Sequence, residues 1–187
     1  MSPDPLLTQR RRVEATMSAI DDKWAALGGP GGFLGWPQDE GAGSEEMDTN
    51  PPGGRCRDFQ GSSIYVKSGV GAFEVHGDIR LAWVRWRAVG GVLGFPTTDE
   101  TSTPDGRGRY NHFERGSIYW TPQTGAHVVY GDIRQRWAAM GWERSRLGYP
   151  TSDERDSSTP GGRMNDFEGG VIFWTPPHEL DVRFQID

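Results

Sequence analysis

The sequence predicts an α+β fold made of three tandem repeats, each a short helix followed by a small β-meander, packed as a compact pseudo-three-fold assembly with an extra N-terminal helix. Three observations predict it. The phrase Leu34-Gly35-Trp36-Pro37 returns as Leu93-Gly94-Phe95-Pro96 and as Leu147-Gly148-Tyr149-Pro150. A tryptophan stands ten residues before each (Trp24, Trp83, Trp137), and an Asp-Glu pair (Asp39-Glu40, Asp99-Glu100, Asp153-Glu154), a Gly-Arg step and a phenylalanine (Phe59, Phe113, Phe167) follow. Copies two and three keep a constant offset of 54 residues; copies one and two differ by 59 at the Leu-Gly phrase and by 54 again from Gly54, which places a five-residue insertion in the irregular, polar stretch 41–52.

In order along the chain, residues 6–27 predict one helix, because Val13, Met17, Ile20, Trp24 and Leu27 line one apolar stripe. Gly28-Gly29-Pro30 stops it. Arg10-Arg11-Arg12 forms a solvated face or attracts an anionic group. The stripe recurs as Ile79, Trp83, Trp86 and as Ile133, Trp137, Met140, with Asp78 and Asp132 placed to cap the helices. Each Leu-Gly-aromatic-Pro phrase is then a corner, in which glycine permits a positive φ and proline prevents the helix from resuming. Three alternating strands follow each corner: Arg55–Phe59, Ser63–Val66 and Ala72–His76, then Arg109–Phe113, Ser117–Trp120 and Ala126–Tyr130, then Arg163–Phe167, Val171–Trp174 and Val182–Ile186. The divisions are an extension over residues 1–19 and repeats over 20–78, 79–132 and 133–187. A unit of this size cannot bury its apolar face alone, so 20–187 should form one cooperative domain.

Composition bounds the function. Twenty-seven glycines and thirteen prolines make the chain loop-rich, while eight tryptophans, eight phenylalanines and five tyrosines supply the core. A net charge of -6 excludes a nucleic-acid partner. The single cysteine, Cys56, excludes an internal disulfide, and His76, His112, His127 and His178 do not recur at matched positions, so neither a metal nor a cofactor is expected. No apolar run reaches membrane-spanning length, and the N-terminus shows no signal-peptide core, which points to a cytosolic, mature or unconventionally exported chain.

Two sets of matched residues could bind a ligand. Trp120 and Trp174 share a repeat position beside Tyr119 and Phe173, whereas copy one has Val66 beside Tyr65. Exposed indoles stack on pyranose faces, and the alternative is that these aromatics fill the core; strand alternation sends neighbours to opposite faces. Asp99, Glu100, Asp153 and Glu154, with Arg55, Arg109 and Arg163, could bind sugar hydroxyls or only stiffen the corner by ion pairing. A hydrolase would need two carboxylates, for which Asp99, Glu100, Glu114 and Asp153 are the candidates. Against it, these acids are mostly repeated, and the chain has no nucleophile elbow, phosphate loop or metal motif. An interaction scaffold or defence lectin is the third reading.

The run Leu93-Gly94-Phe95-Pro96-Thr97-Thr98-Asp99-Glu100, then Gly108-Arg109-Tyr110-Asn111-His112-Phe113 through Trp120-Thr121-Pro122, then Gly131-Asp132-Ile133, resembles the LGFP repeat family in all three copies. The resemblance implies a propeller-like arrangement and a cell-wall or extracellular module. Such modules are often joined to secreted hydrolases and hold them to cell-wall polysaccharide, which makes peptidoglycan or arabinogalactan the expected partner and a lectin-like, non-catalytic role the expected function. A muramidase-like hydrolase is the alternative.

Overall fold

The computed structural model describes residues 18–38, 46–177 and 179–185. Among the described residues three helices, α1 (Ala19–Ala26), α2 (Gly77–Arg85) and α3 (Gly131–Met140), alternate with three four-stranded antiparallel sheets. The first sheet holds β1 (Met47–Asp48), β2 (Arg55–Asp58), β3 (Ser62–Lys67) and β4 (Gly71–His76). The second holds β5 (Thr101–Ser102), β6 (Arg109–His112), β7 (Gly116–Thr121) and β8 (Gly125–Tyr130). The third holds β9 (Arg155–Asp156), β10 (Arg163–Phe167), β11 (Gly170–Thr175) and β12 (Glu179–Phe184). Strands neighbour one another in chain order, so each sheet is a plain meander. This is the α+β, three-repeat fold that the sequence predicts.

Three local expectations change. Each meander has four strands rather than three, because a two-residue strand precedes the predicted set. In unit one that strand, Met47–Asp48, lies inside the stretch read as an irregular loop, and Thr49 beside it is buried with its hydroxyl on Pro51 O and Gly54 O; residues 41–45 lie outside the described residues. Asp78 and Asp132 are not caps. The helices open at Gly77 and Gly131, whose φ of 51° and 57° turns the chain out of the strand, and the cap positions are held by the extended His76 and Tyr130. In the first helix Ser18 is the cap, its Oγ accepting from Asp21 N at 3.1 Å. The remainder of the helix predicted over 6–27, with Arg10, Arg11 and Arg12, lies outside the described residues.

The corners are congruent. Gly35, Gly94 and Gly148 have φ of 67°, 74° and 67°, and the prolines that follow bridge to Phe59, Phe113 and Phe167. A tryptophan from the helix closes the corner: Trp24 Nε1 donates to Gly35 O at 2.9 Å and Trp83 Nε1 to Gly94 O at 3.2 Å. Trp83 and Trp137 are fully buried, while Trp24 is half-buried, with no sheet before it among the described residues.

α2 packs against the first and second sheets and α3 against the second and third, so cores are shared between units. Tyr65 of the first sheet meets Trp83 edge-on at 4.7 Å, and Tyr119 of the second meets Trp137 the same way at 4.7 Å. Polar clasps reinforce the junctions. Asn111 Nδ2 donates to Glu74 O at 3.1 Å, and Asn165 Nδ2, 54 residues on, donates to Val128 O at 3.0 Å. Contacts between units therefore run in series, from first to second and from second to third.

Candidate functional site

Two surface grooves occur at the same place in units two and three. The second-unit groove is lined by Gly77, Asp78 and Ile79 from the first turn of α2, Glu100 from the loop after the corner, Arg109 from β6 and Trp120 from β7, and encloses about 240 Å³. In the third unit the six lining residues are Gly131, Asp132, Ile133, Glu154, Arg163 and Trp174, around about 210 Å³. Each is 54 residues after its counterpart and of the same type. Both are smaller than the roughly 300–1,000 Å³ of pockets that enclose drug-sized ligands, and so fit a single ring.

The sheet builds the groove. Arg109 pairs directly with Trp120 across β6 and β7, and Arg163 with Trp174 across β10 and β11, so the guanidinium and indole share one face. Alternation along β7 sends Tyr119 to the other face, where it is 3% exposed, and leaves Trp120 half-buried at the groove. Trp120 Nε1 donates to Asp78 Oδ2 at 2.9 Å, fixing the ring against the helix start. Arg109 Nε pairs with Glu100 Oε1, and Arg163 Nε pairs with Glu154 Oε1 at 3.2 Å. Glu100 and Glu154 have side chains only 5% exposed. Burial pushes both carboxyls above the usual range, and the arginines offset part of that.

The grooves differ at one rim position. At the second-unit groove His76, the last residue of β4, bonds Glu74 Oε2 through Nδ1 at 2.8 Å and approaches Glu100 Oε1 through Nε2 at 3.2 Å. Burial alone would lower its pKa, but the hydrogen bond and charge of Glu74, with the charge of Glu100, hold it above the ordinary value. Tyr130 stands there in unit three, its hydroxyl 3.2 Å from Arg163 Nη2. Beyond His76 a second cavity of about 490 Å³ is lined by Phe33, Gly61, His76 and Arg109, and the Phe33 ring is 54% exposed and 5.0 Å from the imidazole. In unit one Val66 opposes Arg55, which pairs outward with Glu46 at 2.8 Å; the two line a wider cavity of about 580 Å³ with Asp48, Gly53 and Gly54, without an indole, and Asp39 and Glu40 lie outside the described residues.

Several other predicted residues are engaged elsewhere. Tyr65 and Tyr119 pack inward on Trp83 and Trp137, and burial pushes the Tyr65 hydroxyl up to about 12. Phe173 is half-buried beneath the Arg183 guanidinium. Asp99 accepts Glu74 N at 3.0 Å and pairs with Lys23 at 2.8 Å. Asp153 accepts Val128 N at 2.9 Å and Trp86 Nε1 at 3.1 Å; burial would raise its pKa, but His127 and these donors hold it low. Glu114 accepts Phe95 N at 3.1 Å and Lys67 Nζ at 2.5 Å. Of the four acids considered for hydrolysis, Glu100 alone lines the groove. Sequence reasoning missed Asp78 and Asp132 as groove residues, although their matched spacing was visible, and missed the buried clasps Asn111 and Asn165, which also recur. Among the described residues no cluster of three His, Cys, Asp or Glu is suited to a metal ion, and no helix is long and apolar enough to cross a membrane.

These features define a tandem-repeat protein whose helix-plus-sheet units share cores in series and present the same groove at a fixed spacing. The LGFP repeat family profile matches three times, over residues 34–91, 93–145 and 147–183, and the chain belongs to the LGFP repeat family. LGFP repeats are cell-wall-associated modules, consistent with a general cell-wall-related role. The comparison with curated proteins found no match.

Proposed function

We propose that the chain is a non-catalytic, lectin-like module that holds cell-wall polysaccharide in the grooves of units two and three. The observation that carries this reading is the recurrence of Trp, Arg, Glu and Asp around a surface groove, the indoles lying half-buried between groove and core. The half-buried indole offers its outer apolar face to a pyranose ring, and the guanidinium and carboxylate beside it supply donors and acceptors for hydroxyls. Peptidoglycan and arabinogalactan are the polymers to test first. A hydrolase is disfavoured, because Asp99, Asp153 and Glu114 hold backbone amides and leave Glu100 without a second free acid among the candidates.

Retention on isolated cell walls tests the reading. Trp120→Ala and Trp174→Ala should each weaken binding by roughly tenfold or more, the scale of losing a stacked aromatic anchor, while Val66→Ala should not. Thermal unfolding of each variant separates lost binding from lost folding. Variants that melt like the parent and bind like it would overturn the proposal, and release of new reducing ends, abolished by Glu100→Gln, would establish the hydrolase instead.

A further inference from the structure

The second-unit groove does not end at His76. The cavity of about 490 Å³ beyond it is lined by Phe33 and Gly61 of the first corner together with His76 and Arg109, and Arg109 also lines the groove. One guanidinium therefore stands between two hollows, with the Trp120 indole in the first and the Phe33 ring in the second. An exposed phenylalanine by itself is ordinary. Phe33 differs because its ring, 54% exposed, walls a cavity that shares a residue with a groove already sized for one ring.

The third-unit groove is built differently at the corresponding place. Val92 replaces Phe33, and Arg115 replaces Gly61. The corner backbone is the same, since Gly61 N donates to Leu34 O at 3.2 Å and Arg115 N to Leu93 O at 3.0 Å. The Arg115 side chain folds back on its corner, with Nε on Val92 O at 2.7 Å and Nη2 on Gly91 O at 2.9 Å, and covers surface that a glycine leaves bare. Tyr130 takes the His76 position and sets its hydroxyl against Arg163 Nη2. The Arg163 side chain is accordingly 29% exposed, against 40% for Arg109.

The charges around His76 select the kind of ring. Two acids, Glu74 and Glu100, face two basic groups, His76 and Arg109. Glu74 is further held by Glu100 N, which donates to its Oε1 at 2.9 Å. An anionic ligand would have to compete with these carboxylates for the same donors. A neutral ring needs only an apolar face to stack on, which Phe33 offers, and the outer N–H groups of Arg109 for its hydroxyls.

We propose that the second-unit site takes two consecutive neutral sugar rings of one saccharide, the first on Trp120 and the second on Phe33 with Arg109 between them, whereas the third-unit groove takes one. This rests on the lectin-like reading of the grooves. Titration of the full chain, followed separately through the indole N–H resonances of Trp120 and Trp174, tests it. The probes are N-acetylglucosamine with its β-1,4-linked dimer, and the monosaccharides and disaccharides released from arabinogalactan. At Trp120 a disaccharide should bind about tenfold or more tighter than its monosaccharide, the scale of one added aromatic anchor; at Trp174 the two should differ little. Phe33→Ala should bring the Trp120 ratio down towards that of Trp174 with little change in thermal midpoint, since the ring is already exposed, and Phe33→Tyr should keep it. Equal preference at the two indoles, or a preference at Trp120 that Phe33→Ala leaves intact, would overturn the two-ring site while the single-ring grooves stand. No shift of either indole with any of the saccharides would overturn the groove reading itself, and the two-ring site with it.

Discussion

The corner amide shows how one position tolerates two residue types for one purpose. Phe95 N donates to Glu114 Oε2 at 3.1 Å, Tyr149 N to Glu168 Oε2 at 3.1 Å, and Trp36 N to Gln60 Oε1 at 3.3 Å. What the corner requires is a side-chain oxygen, and the charge answers to the cation of the neighbouring unit. Glu114→Gln should therefore keep the corner and lose only the partly exposed Lys67 pair, at a cost under about 1 kcal/mol. Glu114→Ala also strands the Phe95 amide, and should cost about 1–3 kcal/mol. Urea unfolding of the two variants distinguishes them, and equal losses would mean that the ion pair, not the amide bond, matters.

At the scale of elements, His112 joins β6, β7 and α3. Its Nδ1 lies 2.7 Å from Ser117 Oγ and 3.5 Å from Arg134 Nη2, and the ring packs tilted among Tyr110, Tyr119 and Trp142. Burial, then the charge of Arg134, pushes its pKa from 6.5 down to about 4. The folded state thus prefers the neutral imidazole, and stability should fall as pH drops from about 6.5 towards 4. His76 has the opposite sign: its contribution is complete below the unfolded pKa and is lost as pH rises through its raised folded value. Asp58 occupies the His112 position in unit one, where its carboxylate meets Arg80 at 3.4 Å. His112→Asp should therefore raise the unfolding midpoint at neutral pH and remove the loss between pH 6.5 and 4, as a series of melts across that range would show.

The same scale explains what was legible beforehand. Helices, corners and the long strands were readable because each spans enough residues to show a period or a Gly-Pro signal, except that the last strand, expected over Val182–Ile186, runs Glu179–Phe184. The first strand of each sheet was not, since two residues such as Thr101-Ser102 carry no alternation. Glu100, Arg109 and Trp120 were readable as a matched set, and the inward turn of Tyr119 follows from alternation once the strand is placed. Asp78 was misread because an aspartate before an apolar helix stripe has the form of a cap; the positive φ at Gly77 that moves the helix start forward leaves no trace in composition.

For the whole molecule, stability should behave as a chain of nearest-neighbour terms. Asn111 and Asn165 are fully buried and each ties the preceding unit's last strand to its own loop, with Asn111 also on Thr98 O at 2.9 Å and Asn165 on Ser152 O at 3.0 Å. Removing either amide leaves two carbonyls short of a donor, a loss of about 1–3 kcal/mol. Hydrogen exchange should place the damage: Asn165→Ala loosens unit three and spares the first sheet, whereas Asn111→Ala reaches units one and two. Uniform loss of protection in both variants would show that the units do not open separately.

The constant 54-residue offset between the grooves gives the proposed module a valence of two on one framework. A polymer that fills one groove presents its next segment to the other at a high local concentration, set by the length and stiffness of the intervening sugars. Short oligosaccharides then meet two independent weak sites, while a chain long enough to span both meets a single stronger one. Tethering strength becomes a function of polymer length, and grip on an insoluble wall is decoupled from affinity for the soluble fragments shed from it.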